Sequence, residues 1–183
     1  GADLVDKPDV LEGWGGDDIL RGLAGDDIIW GDAGNDILEG GEGADEIHGG
    51  IDDDVIAGGT GSDEIWGDSG HDIIFANSES DASEEEGVLD IIHGGLGNDL
   101  IYASEAENEI YGDAGNDQII GSDTFGMFAG GYGNDRFYVS AKKDDNESQI
   151  LGEDGNDQIW VGNYVDIVNG GQGDDYIFVE GYA

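Results

Sequence analysis

Cysteine is absent from the 183 residues, so no disulfide can staple the fold. Proline occurs once and Lys plus Arg only five times, against 45 Asp plus Glu, a formal charge of −40. Such a charge repels nucleic acid and anionic membrane surfaces and attracts cations. No apolar run approaches the ~20 residues of a membrane-spanning helix, so no membrane insertion is expected. The start, Gly1-Ala2-Asp3-Leu4, has no basic segment followed by an apolar one and no initiating methionine, and the chain reads as a piece of a longer protein or a processed form. What is abundant is glycine, with 36 residues. It penalises helix interiors, and with a single proline it does not make collagen.

Acid and glycine alone would suggest a disordered tail. The apolar residues argue otherwise, because they recur every nine positions. An unbroken register runs through Asp9, Asp18, Asp27, Asp36, Asp45, Asp54, Asp63 and Asp72, with an aliphatic residue two places after each, from Leu11 and Leu20 to Ile65 and Ile74. Residues 76–89 are degraded and rich in Ser and Glu, and the phase returns at Asp90 and Ile92. It continues through Asp99, Asn108, Asp117, Gly126 and Asp135 to Ser148, Asp157, Asp166 and Asp175, with about four extra residues inserted near 139–147. About nineteen units fill residues 4–178 as one domain, leaving 1–3 and 179–183 as tails.

The segment Gly58-Gly59-Thr60-Gly61-Ser62-Asp63-Glu64-Ile65-Trp66 fits the pattern G-G-x-G-x-D-x-U-x, as do residues 94–102 and 130–138. The chain thereby resembles the RTX calcium-binding repeat family over nearly its whole length. The resemblance implies an all-β fold, a right-handed parallel β-roll with two short-stranded parallel sheets, six residues per turn and three per strand. It also implies an extracellular or cell-surface setting, since the family occurs in secreted toxins, proteases, lipases, adhesins and surface-layer proteins.

Physical chemistry leads to the same metal. A strand x-U-x points out, in, out, so one aliphatic side chain per unit lines a narrow core. Calcium takes six to eight oxygens from carboxylates and carbonyls, more than one turn supplies, whereas two turns stacked at the ~4.8 Å strand spacing suffice. Two units make one coil of 18 residues, so turns 18 apart stack on one edge. Sorting units by parity gives a first row of Asp9, Asp27, Asp45, Asp63, Asp81, Asp99, Asp117, Asp135, Asp157 and Asp175. The second row is Asp18, Asp36, Asp54, Asp72, Asp90, Asn108, Gly126, Ser148 and Asp166, and it fades after Asp72. The expected metal ligands are the carboxylates of Asp18, Asp27, Asp36, Asp45, Asp54, Asp63, Asp72, Asp99, Asp117, Asp135, Asp157 and Asp175. With them go the carbonyls of Gly31, Ala33, Gly40, Gly41, Glu42, Gly43, Gly49, Gly58, Gly59, Thr60, Gly61, Gly94, Gly95, Gly97, Gly112, Asp113, Ala114, Gly115, Gly130, Gly131, Gly133, Gly152, Gly155, Gly170 and Gly173. About ten calcium ions are expected, on both edges of the N-terminal half and one edge of the C-terminal half, and folding is expected to require them.

The same parity count puts Trp30, Trp66, Tyr102, Tyr138 and Trp160 on one exposed column, and His48 and His93 on different sheets. The column reads either as a platform for polysaccharide or a surface protein, or as cross-strand stacking that stiffens very short strands. The three histidines do not cluster in sequence, and the carboxylates are too repetitive to single out an acid/base pair, so no enzyme is expected. Two functions remain: a calcium-folded scaffold segment, monomeric within a larger secreted or surface protein, or a calcium-dependent adhesin-like module using the aromatic column.

Overall fold

A computed structural model describes residues 7–76, 88–141, 148–162, 164–165 and 167–180; of Asp123 only the backbone is described. Most strands run six residues or more, as in Ile19–Ala24, Ile28–Ala33 and Ile37–Glu42, rather than the expected three, because the first turn positions also pair with the next coil, as Leu23 does with Gly41 and Ala24 with Glu42. The strands form two parallel faces. One runs through Leu11, Ile29, Ile47, Ile65, Ile92, Ile110, Phe128, Ile150 and Val168. The other runs through Leu20, Leu38, Ile56, Ile74, Ile101, Ile119, Phe137, Ile159 and Ile177. The strand Gln118–Tyr132 passes from one face into the other and joins them into one sheet of 17 strands, a β-solenoid. Among the described residues there is no helix long and apolar enough to cross a membrane.

Between the faces the inward residues form one continuous ladder. Ile29, Ile47, Ile56, Ile65, Ile74, Ile92, Ile101, Ile110, Ile119, Phe128, Phe137, Ile150 and Ile159 are completely buried. One such side chain per unit is a thin core, and a parallel solenoid compensates by pairing every strand with the coils above and below.

The coil length is 18 residues except at two places. Ile65 pairs with Ile92 and Ile74 with Ile101, 27 residues on. Phe128 pairs with Ile150 and Phe137 with Ile159, 22 residues on. The first departure overturns the parity assignment. Nine extra residues restore the phase of the repeat, yet they exchange the two edges for everything that follows. On one edge Asp63 is followed by Asp90, Asn108, Gly126 and Ser148. On the other, Asp72 is followed by Asp99, Asp117, Asp135, Asp157 and Asp175. The row that stays aspartate throughout is therefore the one that begins at Asp18, and the row that fades begins at Asp9 and Asp27. Asp81 and Asp166 lie outside the described residues.

Candidate metal centre

Two edges of turns follow from this register: an Asp18 edge with nine turns, and an Asp27 edge. On the Asp18 edge every turn begins with glycine and ends with aspartate, from residues 13–18 to 170–175. On the Asp27 edge only residues 22–27, 40–45 and 58–63 do so among the described turns.

Most complete turns hold two residues at positive φ. The fourth position is glycine almost everywhere, as at Gly97 with φ +142° and Gly133 with φ +140°, a region that costs L side chains energy. The second position is also left-handed, yet Asp32, Asp68, Asp113 and Glu153 occupy it at φ near 70°. The first glycine is needed for room. A Cβ on Gly112 would stand 2.5 Å from the Gly130 carbonyl oxygen of the next coil and 2.6 Å from Asp117 Oδ2. A carboxylate oxygen of one turn and a carbonyl of the next thus converge beside the same Cα.

The aspartates form two ladders. Asp18, Asp36 and Asp54 each donate their backbone N–H to Oδ1 of the aspartate one coil on, at 2.7, 2.8 and 2.8 Å. The ladder continues from Asp72 to Asp99 (2.9 Å), Asp117, Asp135, Asp157 and Asp175. On the other edge it runs Asp9, Asp27, Asp45, Asp63 and stops at Asp90. One oxygen of each carboxylate is satisfied in this way. The second, Oδ2, is buried without a hydrogen-bond partner in Asp27, Asp36, Asp45, Asp54, Asp63, Asp72, Asp90, Asp99, Asp117, Asp135 and Asp157. Eleven orphaned carboxylate oxygens are far outside what a protein interior tolerates without a counter-charge.

Electrostatics say the same. Burial, reinforced by neighbouring aspartates of the same edge and opposed by the ladder N–H, pushes Asp63, Asp72 and Asp117 up to about 8. Burial also raises Asp54 to about 7, and Asp45, Asp90 and Asp135 to about 6. Among the described residues no three carboxylate, imidazole or thiolate side chains gather to hold a metal. A cation here must take most of its oxygens from the backbone, and calcium is the ion that accepts such a mixture. The carbonyls of Ala33, Glu42, Thr60 and Ala114 already accept an N–H from the preceding coil, at 2.7–2.9 Å, which leaves each one lone pair. The carboxylate set and the crowded carbonyls therefore fit calcium.

These shifts set a pH dependence for the metal-free chain. A carboxyl whose folded pKa is raised stabilises the fold fully below its unfolded value near 4, and that contribution is lost as pH rises through 6 to 8. Protons should therefore substitute partly for metal. In EGTA, lowering the pH from 8 to 5 should increase the β signal in circular dichroism. An equally unstructured spectrum at both values would count against the burial of these carboxyls.

Where the Asp27 edge fades, protein groups replace the orphan oxygens. Asn108 Nδ2 donates to the carbonyls of Ser104 and Ala106 and to Thr124 Oγ1, while its Oδ1 accepts from Ser104. A neutral, satisfied amide stands where an unpaired carboxylate would.

A second polar ladder borders the Asp18 edge, one residue before the aspartates. Asn98, Asn116 and Asn134 each accept with Oδ1 from the backbone N–H of the asparagine one coil on, at 2.7–2.9 Å. Toward the N-terminus it is continued by His71, whose Nδ1 accepts from the Asn98 N–H at 2.8 Å, and by Asp53, which accepts from the His71 N–H. The recurring pair Asn-Asp at 35–36, 98–99, 116–117, 134–135 and 156–157 was the signal for it, and it falls only on this edge.

The aromatic column divides at the 27-residue coil. Trp30 and Trp66 share one face with His48, His93 and Tyr111, while Tyr102, Tyr138 and Trp160 lie on the other with Phe75. His48 and His93, expected on different sheets, stand in the same stack. Ring centroids are 3.9 Å apart for Trp30 and His48, 4.5 Å for His48 and Trp66, and 4.7 Å for His93 and Tyr111, with planes within 8°. Phe75 stacks on Tyr102 and Tyr138 on Trp160 in the same manner. The ring faces meet one another and the edges meet solvent, which is the geometry of cross-strand stacking rather than of a flat sugar platform.

A family model described as the RTX calcium-binding nonapeptide repeat (four copies) matches residues 7–29, 13–47, 48–82, 90–125 and 150–181. The unmatched gap after 125 covers the 22-residue coil, and the break after 82 falls in the 27-residue one. No curated protein matches the chain.

Proposed function

This chain belongs to the RTX calcium-binding nonapeptide repeat family, and on that footing we propose that it is a calcium-folded scaffold segment of a larger secreted or surface protein. The buried, unpartnered Oδ2 atoms carry the reading, because ten of the eleven, all but that of Asp90, belong to complete turns and each demands a positive charge there. Calcium, when bound, would supply that charge, and the aspartate carboxylates and turn carbonyls are the oxygens that would hold it. The chain's own part is to aim them: the first glycine leaves room, the fourth turns the carbonyls, and the aspartate ladder fixes each carboxylate against the next coil.

Nine complete turns on the Asp18 edge give eight intervals, and three on the Asp27 edge give two, about ten ions in all. Ten divalent ions would offset roughly half of the formal −40. The ordering of the turns is expected to be extracellular, where calcium is millimolar. A module that grips polysaccharide with ring faces is the weaker alternative, since those faces are covered in the stacks.

Anomalous diffraction from calcium-soaked crystals tests the assignment. Ions are expected in every interval from Asp18 to Asp175 and between the turns at 22–27, 40–45 and 58–63. An occupied site among Asn108, Gly126 and Ser148, or an interrupted Asp18 edge, would overturn it.

A further inference from the structure

The stack that begins at Trp30 ends at Tyr111 for a simple reason. The next residue in its column is Ala129, which has no ring. One face of Tyr111 is covered by His93 at 4.7 Å. On the other side lies a cleft of about 260 Å³ lined by Gly131, Tyr132 and Ala129, the last only 4% exposed. Its rim carries Asp113 and Glu153, both from left-handed second positions of turns, which throws their side chains outward. Asp113 pairs through Oδ2 with His93 Nδ1 at 3.0 Å, so it is held in place with a second oxygen to spare. The cleft is below the ~300–1,000 Å³ of pockets that enclose drug-sized ligands, and it admits a group the size of one side chain.

The cleft lies beside the column position where Ala129 replaces a ring, and its two carboxylates give it the wrong charge for another neutral one. A planar cation would continue the stack and meet two carboxylates at its edge. Guanidinium is planar, stacks on aromatic faces and pairs with carboxylates, whereas an ammonium is a compact point charge that gains less from a flat slot. We propose that the free face of Tyr111, with Asp113 and Glu153, is a docking slot for an arginine side chain presented by a partner protein. The overall charge of −40 favours such a basic partner. The slot lies on the outer face of the roll and uses no metal; it requires only that the roll be folded.

The test uses the full chain in millimolar calcium, with circular dichroism confirming the fold of every variant. The probes are acetyl-Gly-Arg-Gly-amide and its lysine and citrulline counterparts, followed by amide chemical shifts at Ala129 and Gly131. The arginine peptide should shift them saturably and bind at least fivefold more tightly than the lysine peptide, and the neutral citrulline peptide should not saturate. Ala129→Phe fills the missing step of the stack and should weaken arginine binding at least tenfold. Glu153→Gln should weaken it at least threefold. Arginine less than fivefold better than lysine, saturable citrulline binding, or arginine binding to folded Ala129→Phe as to the parent would overturn the slot and leave the calcium reading untouched. A chain that fails to fold in calcium would instead sink that reading.

Discussion

Removing calcium with excess EGTA at pH 7.5 should abolish most of the β signal of this chain, and millimolar calcium should restore it. The reason lies in how little else holds the coils together. One side chain in nine is buried in the core ladder, against a backbone ordering cost of about 1–2 kcal/mol per residue. The carboxylates of eleven aspartates are sealed inside with one oxygen unpaired, and like charges stack above and below them. Without a cation the carboxyls must protonate within the fold, at a cost set by their unfolded value near 4, or the chain must unfold. With calcium at 100-fold excess over its dissociation constant, each independent site adds about 2.7 kcal/mol, so a handful of sites decides the outcome. Magnesium should be a poor substitute, because it demands a small octahedral shell and gives up water reluctantly. Unchanged β content in EGTA would defeat the argument.

The second large effect separates the unit of sequence from the unit of structure. Removing residues 112–120, one nonapeptide, should destabilise the calcium-loaded roll more than removing residues 112–129, which is twice as long. The longer deletion joins Tyr111 to Gly130, a glycine of the same kind on the same edge, and Asp99 then stacks on Asp135. Seven intervals remain on the Asp18 edge and two on the other, one fewer than in the parent. The shorter deletion joins Tyr111 to Gly121. Every later turn changes edge, the aspartate ladder is cut after Asp99, and intact intervals fall from ten to eight. The difference of one ion, at about 2.7 kcal/mol, corresponds to at least ~5 °C in Tm for a chain of this size, before the cost of the cut ladder. Removing residues 77–85 is the control. It shortens the 27-residue coil to 18 and should leave Tm close to that of the parent. Equal Tm for the two deletions at 112 would refute the edge assignment.

The period, the inward aliphatic ladder and the aspartate carboxylates were all legible from spacing, because a period of nine determines which residue faces in. Edge membership was not. It depends on whether the number of units between two aspartates is odd or even, and an extra nine residues leave the phase untouched. Asp72 therefore looked like the neighbour of Asp90 and lies under Asp99. The aromatic column inherited the same error, which moved Tyr102, Tyr138 and Trp160 onto the face of Trp66. Ring orientation was beyond a one-dimensional reading, since a column of aromatics can lie flat or stack. The asparagine ladder was readable in the Asn-Asp pairs, whose neutral member recurs with the same spacing as the charged one.

The fading of the Asp27 edge has a mechanical consequence. From Leu11 to Ile74 the coils carry an aspartate ladder on both flanks; beyond Asp90, among the described residues, it runs only along the Asp18 flank. A load along the roll axis is shared by two seams in the first part and by one in the second. Pulled from its ends, the molecule should open first between Asn108 and Ser148, gaping on one side and hinged on the other. Its N-terminal half behaves as a rod and its C-terminal half as a leaf spring.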